Sequence, residues 1–369
     1  MKIHNRSSPL IIGMALFAMF FGSGNLIYPL YIGTEAETSW VSATLGFLIA
    51  AVLLPFLGVI AMVLYRGSYD EFFNSIGKKM GFILSLILLT VWIPLGSAPR
   101  CMTLAYASID SYFANTPPLW LFSLIYSAFV FFIITRELGV LDILGKWITP
   151  LLLCCIGIIC YQGFVSLSDI TILQPFDSSL FVEGVVEGYN TMDLIASFFF
   201  SASVIHILNQ SGSKISESLS LVLKSSIVGM MILAAVYVGL ISLSAHYVGS
   251  LDGVPKDQLL AYLSQHILGP NWSILAILAI FLACFSTSVA LIIAYTDFLH
   301  DEIFKEKQHP YFSILLALAI TFIMSMFRLE GITFITAPIL QVFYPLLLIL
   351  IIYNIGKCAW NARKQVAAQ

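Results

Sequence analysis

Ten apolar runs, each close to the length that crosses a lipid bilayer, constrain this chain more than any other feature of it. A hydrocarbon core of roughly 30 Å takes about twenty helical residues. The runs lie approximately at 9–32, 40–65, 80–107, 119–136, 147–165, 186–208, 222–246, 271–298, 311–328 and 333–356. In lipid every backbone N–H and C=O must be paired inside the protein, so runs of this length can only be helices. Composition agrees: of 369 residues, 59% are hydrophobic and 10% charged, where soluble domains carry roughly a quarter charged. The expected class is an all-α membrane protein, one transmembrane domain over 1–369, with no cofactor, no nucleic acid and no obligate protein partner beyond the bilayer. The first run lacks a small-residue cleavage pattern and continues to spanning length, so it is expected to remain as a helix. Six cysteines, in or beside apolar runs, read as small hydrophobes.

The basic residues test the count of spans. With the N-terminus cytoplasmic, the inner segments hold Lys2, Arg6, Arg66, Lys78, Lys79, Arg136, Lys146, Lys214, Lys224, Lys305, Lys307, Lys357, Arg363 and Lys364, fourteen of the seventeen Lys and Arg. Lys256 and Arg328 fall outside and Arg100 within a span, a distribution that passes the positive-inside rule and puts both termini in the cytoplasm. Outer segments are acidic, with Glu35, Glu37, Asp169, Asp177, Glu183 and Glu187.

Ten spans divide five and five, over 9–165 and 186–356, and an odd number per half inserts the second half upside down. Each half opens on an interrupted run: Gly22-Ser23-Gly24-Asn25 in the first and Gly188-Tyr189-Asn190-Thr191-Met192-Asp193 in the sixth. Glycine, asparagine and the following Pro29 belong where helical pairing is given up, and matched breaks in an inverted repeat point to a transporter site near the midplane. Two alternatives stand at this point. Gly22 and Gly24 serve close helix packing, or the sixth segment is an outer loop extending further before its helix begins.

Freed backbone groups have specific uses. The half-helix after Gly24 presents N–H groups and a positive dipole end, so Ser23, Gly24 and Asn25 suit a substrate carboxylate. Tyr189, Asn190 and Thr191 complete that pocket from the sixth run. Surroundings rich in Phe, Leu, Ile and Met favour an apolar amino acid over a sugar or a phosphate. In the eighth run, Ala283 and the hydroxyls of Ser286 and Thr287 make half an oxygen cage for a monovalent cation. Carbonyls of Ala18 and Phe21, released by the first break, make the other half. The plainer reading is that these hydroxyls only bond back to their own helix.

Arg100 and Asp193 are the charges well inside spans, and such charges are functional candidates by default. They are expected either to pair with each other or to leave Arg100 extending outward. His206 and His246, near helix ends, suit bonds to backbone carbonyls or headgroups. Tyr247 to Pro270 reads as an outer loop with a short amphipathic helix after Pro255, a lid or a plain connector. No metal-ligand spacing, paired carboxylates or serine–histidine constellation marks an enzyme.

Gly13 to Pro29 resembles the opening signature of the bacterial branched-chain amino acid:cation symporters. The likeness continues through Ala98-Pro99-Arg100, the sixth-run motif, Ala283 to Asp297, Pro338-Ile339-Leu340 and Tyr344-Pro345. The resemblance implies sodium- or lithium-coupled uptake of leucine, isoleucine and valine across a bacterial cytoplasmic (inner) membrane, through a LeuT-like 5+5 inverted repeat with helices 1 and 6 broken. It matches Ala18, Phe21, Ala283, Ser286 and Thr287 to the shared sodium site, and the amides near Ser23 and Gly24 to the carboxylate site. Two departures stand out: members typically have twelve helices where ten are marked here, and their double proline after the first break is Pro29-Leu30 in this chain. A related carrier driven by protons, with Asp193 as relay, is the alternative.

Overall fold

The computed structural model describes residues 8–113, 115–135, 140–167, 174–210, 215–304 and 310–367. Lys2, Arg6, Arg136, Asp169, Lys214, Lys305 and Lys307, used above to weigh the two faces, lie outside the described residues. Among those described the fold is all helical. Helices α1 (Pro9–Phe20) and α2 (Ser23–Ala36) divide the first run. Next come α3 (40–64), α4 (Lys78–Asp110), α5 (Leu119–Thr135) and α6 (140–165). The sixth run is divided between α7 (Ser178–Asn190) and α8 (Asp193–Gln210), followed by α9 (Ile215–His246), α10 (Leu259–Trp272), α11 (274–303), α12 (Pro310–Ser325) and α13 (Arg328–Ala367). Seven helical stretches are long and apolar enough to cross a membrane, with α1, α5 and α12 as shorter apolar helices beside them.

Prolines bend these helices without ending them. The π-helical turns at Ile49–Leu53, Ile93–Ser97 and Leu144–Ile148 are each followed, two residues on, by Pro55, Pro99 or Pro150. A wider turn relieves the clash between a proline ring and the carbonyl one turn before it, and absorbs the missing N–H. This is why the third run, with its prolines at 94 and 99, is one helix. Pro29 likewise sits within α2.

The sixth run begins earlier than its apolar character suggests. Asp177 caps α7, its Oδ1 accepting the N–H groups of Ser179 at 2.8 Å and Leu180 at 3.4 Å, so helix starts at Ser178 and the loop alternative is ruled out. Within it, Glu183 and Glu187 take positions on α7. The segment after Pro255 is helical as expected, with Leu259, Leu260 and Leu263 buried, and kinks at Gly269, φ +76°.

Packing places the two divided spans at the centre. Helices α1 and α2 both run along α9, while α7 and α8 both run along α3. The second contact is close because glycines line it: a Cβ at Gly184 would lie 2.1 Å from the Ala43 carbonyl oxygen, and one at Gly46 2.0 Å from that of Phe181. Around this centre α4 packs on α11 and α5 on α12. The core is aromatic where the breaks meet it, with Phe17, Phe21, Phe47, Phe198, Phe199, Phe200 and Tyr237 all fully buried.

Candidate functional site

The first break is two residues long. Phe21 leaves the helix at φ −73°, ψ 80°, Gly22 is extended at φ −109°, ψ −154°, and α2 starts at Ser23. Asn25 holds the restart, its Oδ1 accepting the Gly22 N–H at 3.2 Å, a side chain at the third helical position reaching back to the cap. Ser23, Gly24 and Asn25 thus form the first turn of α2 rather than the break itself. Their N–H groups have no partner within the helix. The second break is also two residues, Thr191 and Met192, with Met192 at φ +62°. Tyr189 and Asn190, expected within it, are the last turn of α7, and Gly188 is helical and packs on the Phe47 carbonyl.

The two breaks touch. A Cβ on Gly24 would lie 3.3 Å from the Cα of Thr191. At the adjacent residue, Asn25 Nδ2 donates to both carboxylate oxygens of Asp193, at 2.7 and 2.8 Å. The Tyr237 hydroxyl donates to Asp193 Oδ2 at 2.6 Å and is itself contacted by Asn25 Nδ2. Asn25 and Asp193 are each 2% exposed. The Gly22 N–H fixes which way the Asn25 amide faces, so its NH₂ end meets the carboxylate. Asp193 also opens α8, where a negative side chain complements the positive helix end.

Arg100 is not paired with Asp193, nor does it reach outward to solvent. It is 4% exposed and donates to the Tyr28 hydroxyl at 2.6 Å, with its guanidinium 5.8 Å from the Tyr28 ring centroid and 3.9 Å from the Met192 sulfur. The carboxylate of Asp193 is already engaged by donors from α2 and α9, which removes the reason for a charge pair.

Four of the five residues expected to hold a cation, Ala18, Ala283, Ser286 and Thr287, are joined by hydrogen bonds. Ser286 Oγ donates to the carbonyls of Ala18 at 2.9 Å and Ala283 at 3.0 Å, and Thr287 Oγ1 donates to Ala18 at 3.2 Å. The bonds to Ala18 cross from α11 to α1, so these hydroxyls do more than return to their own helix. Phe21 lies one turn beyond Ala18, its N–H on the Phe17 carbonyl, and Gly22 packs directly on Thr287, where a Cβ would come within 2.9 Å of Cγ2.

The remaining polar residues are turned elsewhere. Tyr189 reaches the Gln341 carbonyl at 3.4 Å and packs against the Tyr344 ring, Asn190 donates to Glu187 at 2.9 Å, and Thr191 donates to the Gly188 carbonyl at 2.7 Å. His246 contacts the Ser242 carbonyl at 2.6 Å, as expected for a helix end. A cavity of about 940 Å³ leads from the face carrying Lys256 and Glu330 down to Tyr28, Arg100, Asn190 and Met192. At its rim, burial pushes the Asp257 carboxyl above its ordinary range, and the Glu330 charge pushes the same way. From the opposite face a smaller cavity, about 160 Å³, is lined by Tyr69, Asp70, Ser203, His206, Asp297 and Glu302 among others, and by no residue of either break.

Tyr237 and Tyr28 escape the sequence reading. The signal for Tyr237 is its depth, since a tyrosine midway along a run is too far from either interface to serve as an anchor.

A family model for branched-chain amino acid transport proteins matches residues 5–369. The branched-chain amino acid permease BrnQ of Corynebacterium glutamicum is 29% identical over 353 residues, 92% of this chain and 79% of that protein. The permease of the same name from Bacillus subtilis is 28% identical over 369 residues, covering 97% and 83%. Those matches run through both broken spans and the hydroxyl pair of α11, and the chain belongs to the branched-chain amino acid transport protein family, a family of multi-pass carriers and not of enzymes.

Proposed function

We propose that this protein is a secondary active symporter that takes up leucine, isoleucine and valine with sodium, or lithium, by alternating access. The observation that carries the reading is the meeting of two broken helices beside the Ser286 and Thr287 hydroxyls on the Ala18 carbonyl. A zwitterion fits helix ends of opposite sign: the first-turn amides of α2, of which that of Ser23 also faces the Cys101 sulfur, suit its carboxylate, and the carbonyl end of α7 across from them suits its ammonium. For the cation, the hydroxyl hydrogens need only rotate away. Each oxygen then turns a lone pair inward, joining the carbonyls of Ala18, Ala283 and Phe21.

A 5+5 inverted repeat is part of this reading, and the packing is consistent with it. Exchanging span 1 with 6 and span 2 with 7 turns the packing of α1 and α2 along α9 into that of α7 and α8 along α3. The positive-inside distribution favours an orientation with the large cavity on the outer face of a bacterial cytoplasmic membrane and both termini inside. A site reached by a wide outer cavity and sealed inward by Phe20, Phe198, Phe199 and Phe200 suits a carrier loading from outside.

Uptake of labelled leucine in proteoliposomes over a sodium titration tests the proposal. Thr287→Ala is expected to raise the half-saturating sodium concentration about tenfold, as loss of one ligand oxygen implies, with insertion unchanged. Leucine uptake indifferent to sodium and lithium overturns the coupling. The buried Asp193 carboxylate, facing donors but no basic group among the described residues, favours one second reading, a proton-driven carrier for another small apolar amino acid. Replacing the sodium gradient by a pH gradient in the same assay separates the two.

A further inference from the structure

We propose that Arg100 and Tyr28 form a carboxylate-receiving site on the floor of the large cavity, where the α-carboxylate of an incoming amino acid docks before it reaches the amides of α2. The proposal rests on the substrate reading above and adds a site to it.

Arg100 is a buried cation without a counter-charge. Among the described residues no carboxylate lies within ion-pair distance of it. Of its five donors one makes a good bond, to Tyr28, one makes only a long contact to the Met192 sulfur, and Nε has no partner. A guanidinium taken out of water needs an anion and hydrogen-bond acceptors to offset its desolvation. Of the three acids lining the cavity, Glu187 accepts from Asn190, Asp257 faces Arg328 at the rim, and Glu330 lies beside Asp257 on that rim, none of them within ion-pair distance of Arg100. The anion must therefore come from the cavity, which Arg100 and Tyr28 both line.

Geometry suits a carboxylate. The Tyr28 hydroxyl accepts from Arg100 and keeps its own hydrogen to give, so guanidinium N–H and phenol O–H stand side by side as a two-armed donor. Tyr28 follows Gly24 by four residues, about one helical turn or ~5.4 Å further out, and its ring edge would lie 3.5 Å from a Cβ on Gly24. A carboxylate released from Arg100 has about one turn to travel to the first amides of α2.

Leucine counterflow in proteoliposomes carrying the full chain needs no assumption about the coupling ion. Leucine and leucinamide, which lacks the carboxylate, compete against labelled leucine. Arg100→Gln is expected to raise the leucine half-saturation about 30-fold and leave leucinamide where it was, so that discrimination between them falls by the same factor. Arg100→Lys keeps the charge without the planar fork, and Tyr28→Phe removes the second donor. Each is expected to give about a fivefold version of the same change, and they carry the test where Arg100→Gln does not insert. Parallel shifts of both ligands show a structural role and overturn the site. So does leucine binding that depends on chloride in the wild type but not in Arg100→Gln, with discrimination intact. A wild-type protein without leucine counterflow refutes the substrate reading itself, whereas leucine counterflow with undiminished discrimination in all three variants refutes this site alone.

Discussion

The two broken spans are built on opposite economies of backbone and side chain. In the first, Gly22 is extended, a conformation open to any residue, and it is glycine because Thr287 of α11 occupies the place of a side chain. In the second, no glycine is present at the turn, and Met192 is held at φ +62°, a region that disfavours a side chain by about 1–2 kcal/mol. The ends they expose differ too. The positive end of α2 carries no acid and meets the Cys101 sulfur at Ser23, while that of α8 carries Asp193, whose carboxylate accepts from Asn25 and Tyr237. Of two similar interruptions, one has an acid at its positive end that holds the pair together and the other has none, which is what the proposed carboxylate site requires.

The largest expected effect follows from that division. Asp193→Ala leaves the Tyr237 hydroxyl and the Asn25 amide, both buried, without their acceptor. Two such unsatisfied donors cost about 2–5 kcal/mol, and transport is expected to vanish with them. Asn25→Ala removes one donor while Asp193 retains Tyr237, and about 1.5–3 kcal/mol is expected. Thermal unfolding in detergent measures both, and equal losses would break the proposed asymmetry.

Next in size is an exchange of residue types between the breaks. Gly22→Ala brings a methyl within 2.9 Å of Thr287 Cγ2, so the threonine must move off Ala18. The half-saturating sodium concentration is expected to rise about tenfold or more, by loss of the Thr287 ligand. Met192→Gly relieves the left-handed strain but frees the unfolded chain by a similar roughly 1 kcal/mol. Its melting temperature is expected to stay near that of the parent and its transport within about threefold, a change under 1 kcal/mol. A damaging Met192→Gly would mean that the strained turn itself takes part in transport.

What the sequence makes legible follows the same line. Runs of apolar residues must be helices in lipid, so helix stands at each of the ten marked positions, and glycine with asparagine inside such a run announces the first break. Ala18, Ser286 and Thr287 are brought together as the residue types imply. The second break is blurred because a methionine at positive φ has no compositional signature, and Gly188 proves to be a packing glycine against Phe47. Arg100 is misassigned for a physical reason. Opposite charge suggests Asp193, whereas the structure offers that carboxylate two neutral donors and gives Arg100 a phenol one turn along the broken span.

The smallest effect concerns how each broken span begins. Ser8 caps α1 with a hydroxyl that accepts the Leu10 N–H at 3.3 Å, and a hydroxyl does not titrate. Asp177 caps α7, and the Ser179 hydroxyl, with the Ser179 and Leu180 amides, holds its carboxyl below the ordinary range. A depressed carboxylate stabilises the fold above its unfolded value, roughly 3.9, and that contribution disappears as the pH falls through the lower folded value. Acid therefore loosens the entry to the second broken span and leaves the first alone. Asp177→Asn keeps a good cap without the charge, so it is expected to melt slightly below the parent at pH 6. The gap should close as the pH falls through the lowered folded value, where the parent's carboxylate takes up its proton. A gap that persists unchanged at low pH would show that the Asp177 charge has no part in holding α7, and that the two spans begin alike.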